Sequence, residues 1–487
     1  HRWYVRNLSL EHQTGSGRAN ALYDSETGIR YNAEIDMDPT EFIPLFQTPE
    51  TQDFLRRFQF DKKNPIISVS IEGSGPSLDQ RGWNNRGQFT LGPCTYREIP
   101  LLNATGEFEI EGTDMKFYDF RIWRQEGHID GDYVHVRGAE KMVELRNVRG
   151  RVFPAPVAGY FAPKTAQTLA RYQFLTPPEV TLNGMIDSGD GFRHDLKATF
   201  KSGDAAAFPV FERKLPLVAP SGTVTVKGDQ LGLDITAGML GGNADYEGTF
   251  GLGPRKGEVA GSLVTSGIDF GQLVALYELP TETRGKLDGE LRYRIPADDR
   301  QRWSGTGRAR LTEGDVFAIP VMGPMSRLIS GVLDRPRAGY SVATDASATF
   351  VIEGGVIRSD DFLANTPGFV LRAEGYVNPV EDRLEIDAEM NARGPLRLVG
   401  WPLSKLLRYR GEGTIANPQW RAVNFTLPRR GDGGALAGEG DPRAAGVVGA
   451  VPKAVGTGAR ATIGVGSKAL ETGAKVIGTG TRGAMEL

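Results

Sequence analysis

The chain has 487 residues, 39% hydrophobic and 24% charged, with 57 basic against 60 acidic residues and a formal net charge of -3. That balance argues against broad nucleic-acid binding, where a clustered basic surface supplies most of the affinity, so no nucleic-acid partner is expected. A single cysteine, Cys94, excludes an internal disulfide and a cysteine-based metal cluster, while 63 glycines and 29 prolines among short apolar runs point to many strands joined by tight turns.

Strict alternation is the commonest local pattern. Along the chain it appears at Ile67, Val69 and Ile71, and again at Leu231, Leu233 and Ile235. In residues 285–295 the odd positions carry Leu287, Gly289, Leu291, Tyr293 and Ile295, and the even ones Lys286, Asp288, Glu290, Arg292 and Arg294. Phe369, Leu371, Ala373 and Val377 repeat the pattern, as do Leu384, Ile386, Ala388 and Met390. Successive side chains of a strand point to opposite faces, so each segment has one apolar and one wet face. Half-buried strands of this kind belong to antiparallel sheets.

Short amphipathic helices are expected near 39–60, 157–174, 269–279, 322–333 and 401–409. Four of them lead into a similar, often glycine-marked strand, beginning at Pro65, Pro178, Gly285 and Gly411. The recurrence reads either as an elongated, stacked β-architecture or as chance in a glycine-rich β-protein. The fold expected is mainly β: a long curled antiparallel sheet, taco-like or half-barrel, with a few short capping helices. Three regions are expected: 1–221, β-rich with short helices; 222–427, a second β domain; and 428–487, a tail rich in glycine and alanine. The tail reads as disordered low-complexity sequence, or as a feeble helix with Lys453, Arg460, Lys468, Lys475 and Arg482 on one face.

No residues assemble into a catalytic pattern, and no catalytic residue, metal ligand or cofactor is assigned. His128 and His135 stand at an odd offset on one strand-like run, which puts them on opposite faces. The adjacent pairs Asp298-Asp299 and Asp360-Asp361 diverge for the same reason. Asp187-Ser-Gly-Asp-Gly191 resembles a calcium loop superficially but lacks the further ligand positions, and a hairpin turn is expected there. Gly478-Thr-Gly-Thr-Arg-Gly483 matches a dinucleotide glycine pattern, but only four residues follow it, too few for the helix such a site needs. No stretch reaches the roughly 18–20 apolar residues of a spanning helix, and the chain opens on His1, so any membrane anchor is expected to precede it.

A family likeness lies in the order of segments. Gly222-Thr-Val-Thr-Val-Lys-Gly228 followed by residues 231–248 resembles the strand pair of AsmA-like domains, and residues 259–274 resemble the family's strand followed by a short helix. The most specific stretch is 305–321 with Met325-Ser-Arg-Leu-Ile329, continued by residues 348–362 and 369–379 and closed by 411–420. From about 222 to 425 the chain is similar to the AsmA-like family of bacterial envelope proteins, the AsmA, TamB and YhdP type. The likeness is diffuse before that and absent from the tail, and none of its motifs is catalytic.

The resemblance implies a protein that is not an enzyme and sits on the periplasmic side of the inner membrane of a diderm bacterium, held there by an N-terminal anchor. It implies phospholipid or another lipid as partner, bound or conducted along an apolar β-groove between inner and outer membranes, with envelope proteins as possible further partners. Groove candidates are Leu287, Leu291, Tyr293, Phe369, Leu371, Leu384 and Ile386, although the same residues suit a closed core equally well. The alternative is a scaffold or assembly factor for outer-membrane proteins, without lipid transport. An enzyme acting on envelope glycans is the weakest case, because no spaced acid/base pair is visible.

Overall fold

In the computed structural model, residues 1–61, 65–160, 169–170, 172–189, 191–210, 213–276, 283–319, 321–326, 341–393, 407–415 and 417–423 are described. The alternating segments are strands: Ile67–Gly75, Gln230–Met239, Lys286–Ile295, Phe369–Asn378 and Arg383–Ala392. They belong to one antiparallel sheet of 25 strands that is not closed into a barrel. Its course is a meander, each strand pairing with its neighbour in the chain from Arg2–His12 to Pro418–Val423. The path steps aside only for small additions, such as the separate sheet of Phe58–Phe60, Cys94–Tyr96 and Ile99–Leu101. The long strand Arg213–Lys227 pairs first with Ala205–Val210 and then with Asp195–Lys201. It runs through the expected division at 221/222, so the sheet is continuous there.

The sheet bends through β-bulges. Register slips occur between Val5 and Leu8, Tyr118 and Arg121, Leu145 and Val148, Val218 and Ser221, and Thr265 and Ile268. In each case one residue inside the slip has a positive φ: Asn7, Asp119, Asn147, Ala219 and Gly267. Three of these are Asn or Asp, which tolerate the left-handed region better than other residues with a Cβ. The freed N–H is often caught from the next strand. Asn7 donates to Asn20 Oδ1 and Asn147 to Asn183 Oδ1, both at 2.8 Å, and Gly267 to Asp288 Oδ1 at 2.7 Å. Each bulge increases the local twist, and repetition along the meander curls the sheet.

Helices cover the inner face at two places. The expected helix at 39–60 is broken into a 3-10 turn, Pro39–Leu45, a helix, Pro49–Arg56, and the strand Phe58–Phe60. Proline explains the break, since Pro44 and Pro49 offer no backbone N–H to a continuous helix. The helix lays Phe54 against Phe58, Tyr96 and Phe117, with ring centroids 5.3–6.3 Å apart. In the C-terminal half, Phe270–Leu276 and the turns that follow Val316 bury Val274, Phe317 and Met325 against Leu371 and Met390. The expectation at 269–279 thus holds over Phe270–Leu276, and 277–279 lie outside the described residues. Of 157–174, the structure has a helix at Pro154–Gly159 and a short strand at Gln173–Phe174. Residues 161–168 and 327–333 lie outside the described residues, as do 401–406 and the tail 428–487. Residues 407–409, expected to be helical, open the strand Leu407–Gly413 instead.

Arg124 locks the N-terminal cover in place. It is only 9% exposed, and its guanidinium donates to Glu126 Oε1 (2.6 Å), to the Pro100 carbonyl (2.8 Å) and to the Tyr160 hydroxyl. Replacing it with methionine leaves the sheltered Glu126 carboxylate without its cation. Breaking such a pair costs about 3–5 kcal/mol. Arg124→Met is therefore expected to lower the urea midpoint of the N-terminal region, read by tryptophan fluorescence; an unchanged midpoint would show that these bonds are not coupled to the fold.

Candidate functional site

The apolar residues of each strand share one face, and the register aligns them across strands. Ile235 stands opposite Tyr246, Tyr246 opposite Leu263, Leu263 opposite Leu291, Leu291 opposite Gly307 and Gly307 opposite Phe350. Six adjacent strands therefore present an unbroken apolar strip, about 24 Å long at 4.8 Å per strand. All six residues are half-buried. Toward the strand ends the same face is closed: Leu231, Val259, Ile295 and Ile352 are buried along one rim, and Ile268 and Leu311 along the other. The opposite face carries charge, with Arg292 and Arg308 both paired to Glu290, at 3.3 and 2.8 Å.

Aromatic rings lie across glycines in this strip and do not stand on end. A Cβ on Gly261 would come within 3.0 Å of the Tyr293 ring and 3.1 Å of the Tyr246 hydroxyl, and one on Gly307 would strike Phe350. Glycine is required there for close approach, and the rings lie low on the face as a result. Tyr246 and Tyr293 hydrogen-bond to each other at 3.2 Å. Burial pushes both phenols above their ordinary pKa, so both stay neutral. Nearer the N-terminus Tyr31 donates to Asn85 Oδ1 at 2.6 Å, and burial pushes its phenol up to about 12.

The residues anticipated from the sequence divide into two sets. Leu291 and Tyr293 line the half-open strip, and Leu287 and Ile386 are partly buried where the inner face meets the C-terminal core. Phe369 and Leu371 are fully buried, and Leu384 is 3% exposed. These three occupy filled core positions. Tyr246, Leu263 and Phe350 were not anticipated. Each sits in an alternating run, yet only strand register brings them beside Leu291.

The polar clusters noted in the sequence have structural roles. Asp361 accepts from the Thr349 N–H and hydroxyl, both at 2.7 Å, and Asp299 caps a short turn through the Gln301 N–H. His135 binds Asp114 and His128 pairs with Asp130, so the two histidines have separate partners. Burial pushes the Cys94 thiol up to about 12. Among the described residues no group of three His, Cys, Asp or Glu side chains could hold a metal ion.

Asp187 ends one arm of a hairpin, as expected for its loop, and accepts from Arg193 Nε (3.0 Å), the Gly189 N–H (2.8 Å) and the Arg193 N–H (3.1 Å). Chiefly through Arg193, these bonds hold its carboxyl well below the ordinary 3.8, at about 2. A depressed pKa contributes stability above pH 3.8 that is lost as pH falls toward 2. Amide exchange in this hairpin is expected to quicken over that window, and Asp187→Asn should remove that pH dependence. The same acid response in Asp187→Asn would assign it to another group.

Compared with models of known protein families and with curated proteins, the chain matches none. Among the described residues no helix is long and apolar enough to cross a membrane.

Proposed function

We propose that this chain is an AsmA-type envelope protein that binds or conducts phospholipid along the inner face of its open sheet. The observation that carries the reading is the half-buried strip from Ile235 to Phe350, apolar at every position and closed along both rims. An apolar strip left partly open to water needs a cover, and acyl chains gain about 0.8 kcal/mol for each CH₂ buried on it. The neutral Tyr246–Tyr293 pair adds a hydrogen-bonding point without a charge, which suits an ester better than an ion. The proposal places the protein on the periplasmic side of the inner membrane. It involves no catalysis.

The test is gentle purification from membranes, followed by native mass spectrometry and lipid extraction of the washed protein. Phospholipid in constant ratio to the chain supports the proposal. Lipid-free protein with an intact fold favours the second reading, a scaffold for outer-membrane proteins, which the uncovered first strand supports.

A further inference from the structure

The strand Arg2–His12 is an open edge eleven residues long, exposed at every position. It bonds to Gly15–Asp24 on one side and, among the described residues, to no strand on the other. Trp3 is 70% exposed and Leu8 54%, and with Tyr4, Val5 and Leu10 they make up five of the fourteen exposed large hydrophobic residues described. Such an edge is a template for a further strand, and proteins usually blunt it. This one carries neither proline nor lysine.

Its bulge sets an unusual symmetry. Trp3, Val5, Leu8 and Leu10 stand opposite Tyr23, Ala21, Ala19 and Gly17, so all four share the inner face. The positions 3, 5, 8 and 10 are symmetric about a point between Arg6 and Asn7. In a regular strand an antiparallel self-pairing whose residue numbers sum to 13 would set odd against even, joining opposite faces. The extra residue at Asn7, fixed by its bond to Asn20, removes that conflict. Trp3 can then face Leu10 of another copy, and Val5 can face Leu8. On the outer face Arg2, which pairs with Asp24 of its own chain, comes beside Glu11 of the other copy, and the match occurs twice. The far edge, Pro418–Val423, has six residues and opens on proline, so it offers no comparable match.

From this we infer that Arg2–His12 pairs antiparallel with the same strand of a second copy, about a two-fold axis between Arg6 and Asn7. Two sheets become one, and their inner apolar rows run on across the junction. The inference stands independently of what the inner face binds.

Analytical ultracentrifugation of the full chain should give a dimer, and Val5→Lys with Leu8→Lys, which gathers four ammonium groups at the axis, should give a monomer with unchanged circular dichroism. Trp3→Cys with Leu10→Cys should oxidise to a covalent dimer, since within one chain the two positions stand opposite Tyr23 and Gly17, roughly 20 Å apart and beyond disulfide reach. Val5→Cys with Leu10→Cys, out of register by two residues, should not. A monomer at every concentration overturns the inference, as does a dimer that survives the lysines or cross-links only out of register. Monomers whose edge amides are protected by polypeptide preceding His1, or by another protein, overturn it in favour of that occupant.

Discussion

Leu291→Asp is expected to strip bound phospholipid from the protein, at least tenfold per chain, while leaving the sheet folded. Leu291 is half-buried at the middle of the strip, between Leu263 and Gly307. A carboxylate there keeps its access to water, so the fold does not have to bury an unpaired charge. A ligand lying across the strip would have to desolvate that carboxylate, which costs several kcal/mol, and would also pack its acyl chain against a smaller, polar side chain. Val351→Asp is the matching control. It adds the same charge to an exposed outer position of the same sheet, beside Arg358 in register, and should retain the lipid. Lipid-to-protein ratios from native mass spectrometry decide the matter. Equal loss from both variants would mean that charge acts generally, and equal retention would remove the strip from the binding surface.

The alternation of Lys286–Ile295, Phe369–Asn378 and Arg383–Ala392 reads directly from the sequence because it depends only on nearest neighbours along one strand. The meander follows from the same pattern, since short turns leave consecutive strands little choice but to pair. Two things were not legible. Three of these five bulges turn on an Asn or Asp, and the bonds that fix Asn7 and Asn147 come from another strand: nothing in the local sequence there points to Asn20 or Asn183. Nor does alternation separate open from filled positions. Leu291 and Leu371 sit in similar runs, yet one is half-buried and the other fully enclosed, because the covers come from distant segments such as Phe270–Leu276. A cover is tertiary information, and it decides which apolar residues can meet a ligand.

The same distinction makes the opposite prediction at the filled end. Phe369 has no exposed surface and its ring lies 5.9 Å from that of Phe317, with Leu371, Met325 and Met390 in the same cluster. Phe369→Ala leaves a cavity that the curled sheet and its cover cannot both collapse to fill, and such truncations cost about 3–5 kcal/mol. Leu371→Asp costs more, because a carboxylate is buried in a cluster that holds no cationic side chain among the described residues. In a meander each strand touches mainly its neighbours, so the damage should stay local. Amide exchange in Phe369–Asn378 and Arg383–Ala392 should accelerate by roughly two to three and a half orders of magnitude in Phe369→Ala, as 1.4 kcal/mol corresponds to a factor of ten. Strands before Asp114 should keep their protection. A uniform loss from Arg2 to Val423 would instead identify the sheet as one cooperative unit, and lipid loss in Leu371→Asp would then report unfolding, whereas the same loss in a folded Leu291→Asp reports the binding face.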